Sequence, residues 1–291
     1  MNTTKMRIGL YEPIYKDGQV ITNYACSPYL HISNKEFSHW REFKILVEMY
    51  ARNIPFMHQY CGLFSPKFSV KCKISIPAFL DFCSLHSGAD VIFINPFPQL
   101  SYLSLNTWMH AEAFHPGITY VAQNLLDAAD VGLVIDDQAR HGPEVLAYSS
   151  FWCGNQSFWD EYVGKILCRL SKYIIEHPGC PAVIASLAET AHYDTCPYLP
   201  FITERLFTSF ISKNTSMKCI SYPLEPLEYC LDSYEKDLIT NIKPKTVEAD
   251  LKNTYSSSLV EEMRTSCALL AQHTYSYYKS NIHPHTGRFI S

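Results

Sequence analysis

Two kinds of apolar stretch alternate along the first 240 residues. Short β-rich runs are "MRIGL", which gives a strand over Arg7–Leu10 ended by Tyr11-Glu12-Pro13, and "MHQYCGLFSPKFSVK", interrupted by Pro66. Asp90–Ile94, closed by Asn95-Pro96 and Pro98, and "EVLAYSSFWCG", turning at Gly154, complete the set. Gly, Pro or Asn bounds most of these runs, as expected for strands leaving a sheet. Between them lie segments with the spacing of one helix face. In "NKEFSHWREFKILVEMYARN" the stripe is Phe37, Trp40, Phe43, Ile45, Leu46, Met49 and Tyr50, with Ser33 or Asn34 available as a cap. "IPAFLDFCSLHSG" is a short helix closed by Gly88. "SYLSLNTWMHAEAFHPG" and "YVAQNLLDAADVG" follow as helices. The clearest helix is "QSFWDEYVGKILCRLSKYIIEH", where Phe158, Tyr162, Ile166, Leu170 and Ile174 share a face. "YLPFITERLFTSFISKN" is helical after Pro200.

This alternation predicts an α/β domain with a mostly parallel sheet over residues 1–240. After Asn241 the β formers thin out, and Val247, Leu251, Tyr255, Leu259, Met263, Cys267 and Leu270 recur at helical spacing. Residues 241–291 are therefore expected to form a helical extension, broken near Ser256-Ser257-Ser258. In parallel sheets ligands gather at the carboxyl ends of strands. That rule selects Tyr11-Glu12, Ser65-Pro66-Lys67, Asn95-Pro96 and Phe151-Trp152.

Composition narrows the function. Hydrophobic residues make up 47% of the 291 and charged residues 18%, enough for a packed core. The formal net charge of −4 leaves no basic excess for a nucleic-acid backbone, so no nucleic-acid partner is expected. Aromatic residues reach 14%; most belong in the core, and some suit a cleft that stacks on sugar rings. The 11 cysteines include no Cys-x-x-Cys pair, and the start carries no secretory pattern. The expectation is a cytoplasmic protein with reduced thiols, at most peripheral at the inner face of a membrane. There is no Gly-x-Gly-x-x-Gly, Walker loop, Gly-x-Ser-x-Gly or His-Glu-x-x-His. His283 and His285 sit beside the terminus and read as surface tail, while Asp136-Asp137 reads as a loop or helix cap with metal binding as the alternative.

Four pieces in order sharpen the picture: "HQYCGLFSPKFSVK" (58–71), "GADVIFINPF" (88–97), "LAYSSFWCGNQSFWDEYV" (146–163) and "PFITERLFTSF" (200–210). Together they resemble a group of bacterial glycosyltransferase-like proteins of capsule and lipopolysaccharide gene clusters. The resemblance covers roughly residues 7 to 212 and leaves the tail outside. It implies a GT-A-like, Rossmann-type α/β fold, a nucleotide-sugar donor and a glycan or lipid-linked acceptor. Many GT-A enzymes hold a divalent Mn or Mg ion through Asp-x-Asp; here Asp90-Val91-Ile92 lacks the second acid.

Glycosyl transfer needs stabilisation of a departing diphosphate, a base for the acceptor hydroxyl and a carboxylate near the anomeric carbon. Lys67 and Lys71 are the candidates for the phosphates, and Asp90 for the metal or donor sugar. Glu204 and Arg205 offer an acid and an anion holder, with a helix-surface ion pair as the rival reading. Tyr11 and Glu12 are placed at the nucleobase, Trp152 at a sugar cleft, Trp159 in the core, and His115 as a base. The alternative class is a catalytically silent carbohydrate-binding or scaffold protein of the same fold. A third is a hydrolase or cysteine-dependent enzyme.

Overall fold

The computed structural model describes residues 7–15, 18–30, 35–190 and 196–282. Strands β1 (Ile8–Ile14), β2 (Ser27–Leu30), β3 (Tyr60–Leu63), β4 (Val91–Phe93), β5 (Trp152–Asn155) and β6 (Cys219–Ser221) form one six-stranded sheet, in the order β2-β1-β3-β5-β4-β6. Every pairing is parallel except those of β5, which runs antiparallel to both β3 and β4. The expected α/β architecture is thus observed as a mixed, mostly parallel sheet flanked by helices.

Side-chain alternation along the strands builds a core on each face. Cys61, Leu63, Val91, Phe93 and Trp152 point into the larger one. It is completed by α1 (Glu42–Ala51), α6 (Ile118–Ala128), α9 (Pro181–Leu187) and α10 (Tyr198–Lys213), and by the long helix that joins α7 (Gln156–Phe158), a π-helical stretch (Trp159–Leu167) and α8 (Cys168–Glu176). Tyr60, Phe64, Ile92, Ile94, Phe151 and Cys153 point the other way, onto α2 (Phe68–Cys72) and α3 (Ile76–Leu85). A third cluster joins α4 (Leu100–Leu103) and α5 (Thr107–Phe114) to the C-terminal helices α11 (Ser233–Lys252) and α12 (Ser257–Ser280).

Several elements differ from the sequence reading. β1 continues through Tyr11-Glu12-Pro13. The Tyr11 carbonyl accepts from Phe64 N–H on the β3 side, so the missing donor of Pro13, two residues on, falls beyond the end of β3 and breaks no ladder. The stretch after Leu63 is not strand but the helix α2, because Pro66 leaves the sheet and Phe64, Phe68 and Cys72 bury at four-residue spacing. Arg41, at φ 52°, separates a 3-10 turn (Lys35–Trp40) from α1 where one continuous helix was expected. The tail is helical and broken before Ser257, as expected, but α11 begins at Ser233, so residue 240 lies inside a helix. Among the described residues no helix is long and apolar enough to cross a membrane.

The 23 residues from Ala129 to Phe151 carry no regular structure, yet they are anchored. The Arg140 guanidinium donates to the carbonyls of Ser101, Ser104 and His141 and pairs with Asp250 at 3.0 Å. One half-buried cation therefore ties this connection to α4 and α11. Asp136 caps the local turn by accepting from Gln138 and Ala139 N–H, which accounts for that acid without a metal.

Candidate functional site

The carboxyl ends of β1, β3 and β4 open on one cavity of about 840 Å³. The segment entering β5 reaches the same end because β5 is antiparallel. Of the residues expected at the site, Lys67, Lys71, His115, Glu204 and Arg205 line this cavity. They arrive from the β3–α2 connection, α2, the end of α5 and the first half of α10.

α10 is buried almost all round and fixes the acid–cation pair. Thr208 exchanges hydrogen bonds with Ala147, accepting from its N–H at 3.0 Å and donating to its carbonyl at 3.1 Å. One turn earlier on α10, Glu204 Oε2 accepts from Ser149 N–H at 3.0 Å. Four residues of helix advance ~6 Å, and two residues of extended chain ~6.6 Å, so the two contacts share a register. The chain then turns sharply: Ser149 and Ser150 both hold positive φ, at 66° and 52°. Such backbone costs of order 1–3 kcal/mol per residue, and surrounding contacts must hold it. The Ser149 hydroxyl is held in turn, accepting from Lys71 Nζ at 2.7 Å.

Lys71 keeps some accessible surface because it borders the cavity, yet enough protein surrounds its ammonium for burial to push its pKa down. Glu204 and Glu42 work in the opposite direction. Arg205 is 3% exposed. Its Nη1 donates to the Phe201 carbonyl at 2.9 Å and lies 3.6 Å from Glu204 Oε1, and its guanidinium lies 5.6 Å from the centre of the Tyr148 ring. Its Nε has no hydrogen-bond partner. The pair is therefore not a solvated surface bridge: a guanidinium with an unused donor is held at the wall of a cavity. His115 is buried, stacked on Phe201 at 3.9 Å, with Nδ1 3.2 Å from Thr190 Oγ1.

Four expected site residues lie elsewhere. Asp90 is at the amino end of β4, away from the cavity. Its carboxylate accepts from Asn155 Nδ2 at 2.9 Å and from Lys218 N–H at 2.8 Å, clamping β4 to both neighbours. An acid at the mouth of this strand is thus a sheet fastener. Asp90→Asn is expected to lose one charge-assisted bond and oppose two donors, costing about 1–3 kcal/mol. Thermal unfolding should fall by several degrees while ligand binding at the cavity stays unchanged. Glu12 is fully buried and accepts from Thr22 N–H at 2.7 Å and from Asn23 N–H at 2.8 Å. It shapes the loop that brings Gln19 and Thr22 to the cavity without facing it. Tyr11 sits mid-strand, its hydroxyl 2.8 Å from His58 Nε2. Trp152 packs in the larger core against Trp159 at 5.0 Å, because its place in β5 turns it to that face. Trp159 is core, its indole N–H donating to the Cys61 carbonyl.

Other cavity residues were invisible to sequence reasoning: Gln99, His110, Tyr148 and Glu235. Each looks ordinary on its helix or loop, and only the fold brings them together. Among the described residues no three of His, Cys, Asp or Glu gather as a metal-ligand set, and His283 and His285 lie outside those residues. The residues present do not fit a divalent ion at Asp90, whose oxygens are already engaged by donors. Compared with protein-family models, with curated proteins and with solved structures, the chain finds no match in any of the three.

Proposed function

We propose that the cavity binds a nucleotide sugar and that the protein transfers its glycosyl group to a glycan or lipid-linked acceptor of the capsule or lipopolysaccharide kind. On this reading the sheet is a GT-A variant working on the cytoplasmic side, at most peripheral to the membrane. The supporting observation is the meeting of Lys71, Arg205 and Glu204 on one cavity at the carboxyl end of a mostly parallel sheet. Its volume falls in the range of small-molecule sites.

The roles follow from charge and geometry. Lys71 and Arg205, with Lys67 at the exposed rim, hold the diphosphate and stabilise its growing charge as it departs. A planar guanidinium with an unused N–H suits a phosphate oxygen. Glu204, fixed by Ser149 N–H, presents a carboxylate to the anomeric carbon or accepts the acceptor hydroxyl's proton. His115 is the second basic group on the wall. No step is assigned to a divalent ion.

Donor hydrolysis tests the reading. Uridine, guanosine, cytidine and thymidine nucleotide sugars are incubated with the protein, and nucleotide release is followed. A transferase leaks glycosyl groups to water with at least one donor. Binding of a nucleotide sugar without release would point instead to the silent carbohydrate-binding alternative.

A further inference from the structure

We propose that the end of the cavity closed by the C-terminal helices is a saccharide subsite that adjoins the cationic end at Arg205, so that α12 belongs to the binding site as well as to the fold. The proposal deepens the nucleotide-sugar reading by assigning the two ends of the cavity different chemistry.

Three observations carry it. First, α12 contributes Thr274 and Tyr278 to the cavity wall, opposite in sequence to everything the family-like segments supply. Second, the polar groups here differ from those around Lys71. The charged one is an acid, Glu235, 2% exposed, which accepts from Gln99 Nε2 at 3.0 Å. Burial raises its pKa. A buried acid repels phosphate and tolerates hydroxyl groups. Third, two side chains more than nine-tenths buried keep unused hydrogen-bonding capacity: Gln99 at Oε1 and His110 at Nδ1, at 3% and 8% exposure. Each unsatisfied buried atom costs about 1–3 kcal/mol, which a ligand hydroxyl donating to it relieves.

The surroundings of His110 suit a sugar ring. Its imidazole lies 4.7 Å from Phe114 and 5.3 Å from Tyr148, both cavity residues. Burial and the neighbouring Arg205 push its pKa down to about 3, so it stays neutral across physiological pH. Uncharged polar atoms among aromatic faces recognise a pyranose, with its alternating hydroxyls and C–H faces. Arg205, beside His110 and 5.6 Å from the centre of the Tyr148 ring, marks the boundary where the diphosphate joins the sugar.

Saturation-transfer NMR separates the ends. The probes are UDP, GDP, CDP and TDP in one set, and glucose, galactose, N-acetylglucosamine and their disaccharides in another. They are observed on the wild type and on Thr274→Phe and Gln99→Leu, each first checked for cooperative thermal unfolding. Thr274→Phe fills the subsite and Gln99→Leu removes its free carbonyl. Saccharide binding is expected in the wild type and to weaken by about tenfold or more in at least one folded variant, with nucleotide binding unchanged within about twofold. Saccharide binding unaffected in every folded variant, or none in the wild type, overturns the subsite, and nucleotide binding by that wild type leaves the transferase reading standing. Saccharide binding that is lost in the variants, in a wild type blind to every nucleotide, keeps the subsite and overturns the transferase reading.

Discussion

Glu204→Gln is expected to slow glycosyl transfer by roughly 10²–10⁴-fold, the range for removing a positioned acid or base, while leaving the fold and nucleotide binding intact. The substitution is close to isosteric. The glutamine carbonyl still accepts from Ser149 N–H, the bond that Glu204 Oε2 makes at 3.0 Å. The loose contact with Arg205 at 3.6 Å loses its charge but not its geometry. A purely structural Glu204 would therefore be replaced with little consequence. Turnover with the active donor, compared with nucleotide affinity on the same variant, separates the two roles. A rate within a few-fold of wild type would take Glu204 out of the chemistry and leave His115 as the group to test.

Lys71→Met is expected to uncouple stability from binding. In the free protein the Lys71 ammonium is desolvated, and its folded-state pKa lies below the unfolded value. Between those two values the unfolded chain binds more protons, so stability rises with pH through that window as the charge is shed. Below it the charged lysine is a net liability of the fold. Methionine keeps an apolar stem of similar length while removing the charge that lies over the Phe97 and Phe151 rings. The variant should unfold at an equal or higher temperature near neutral pH and lose the alkaline increment. Nucleoside diphosphate binding should fall by about 30-fold or more, the loss of a charge-assisted contact of roughly 2–3 kcal/mol. In the wild type, affinity should decline as pH rises through the lowered Lys71 pKa, and this decline should vanish in the variant. Calorimetry across pH on both proteins reads each quantity.

The sequence revealed most where burial and periodicity agree. The helix from Gln156 to Glu176 shows its stripe plainly, and the tail helices announce their break before Ser257. Strand boundaries were harder, because β1 carries Pro13 at a place where only the end of its neighbour makes proline harmless. β2 and α9 left no usable pattern, being short and proline-bearing. For the site, the carboxyl-end rule led to Lys67, which lines the cavity, and to Trp152, which begins β5 at the same end but turns its side chain into the core. Asp90 came from the comparison with Asp-x-Asp and not from that rule, which named Asn95-Pro96; it lies before β4, at the end away from the cavity. Glu12 shows a different limit. A buried carboxylate satisfied by backbone N–H groups is written in the sequence like a catalytic one, and only its partners tell them apart.

The central claim is that Lys71, Arg205 and Glu204 surround a diphosphate site at the carboxyl end of the sheet. Its most direct test is thermal unfolding of the full chain with saturating UDP, GDP, CDP, TDP and their sugars, beside Arg205→Leu. A ligand at 100 times its dissociation constant stabilises the native state by about 2.7 kcal/mol. At least one nucleotide should therefore raise the wild-type midpoint by several degrees, and the same nucleotide should leave a folded Arg205→Leu unmoved. A wild type indifferent to every nucleotide, or an equal rise in the variant, would contradict the claim.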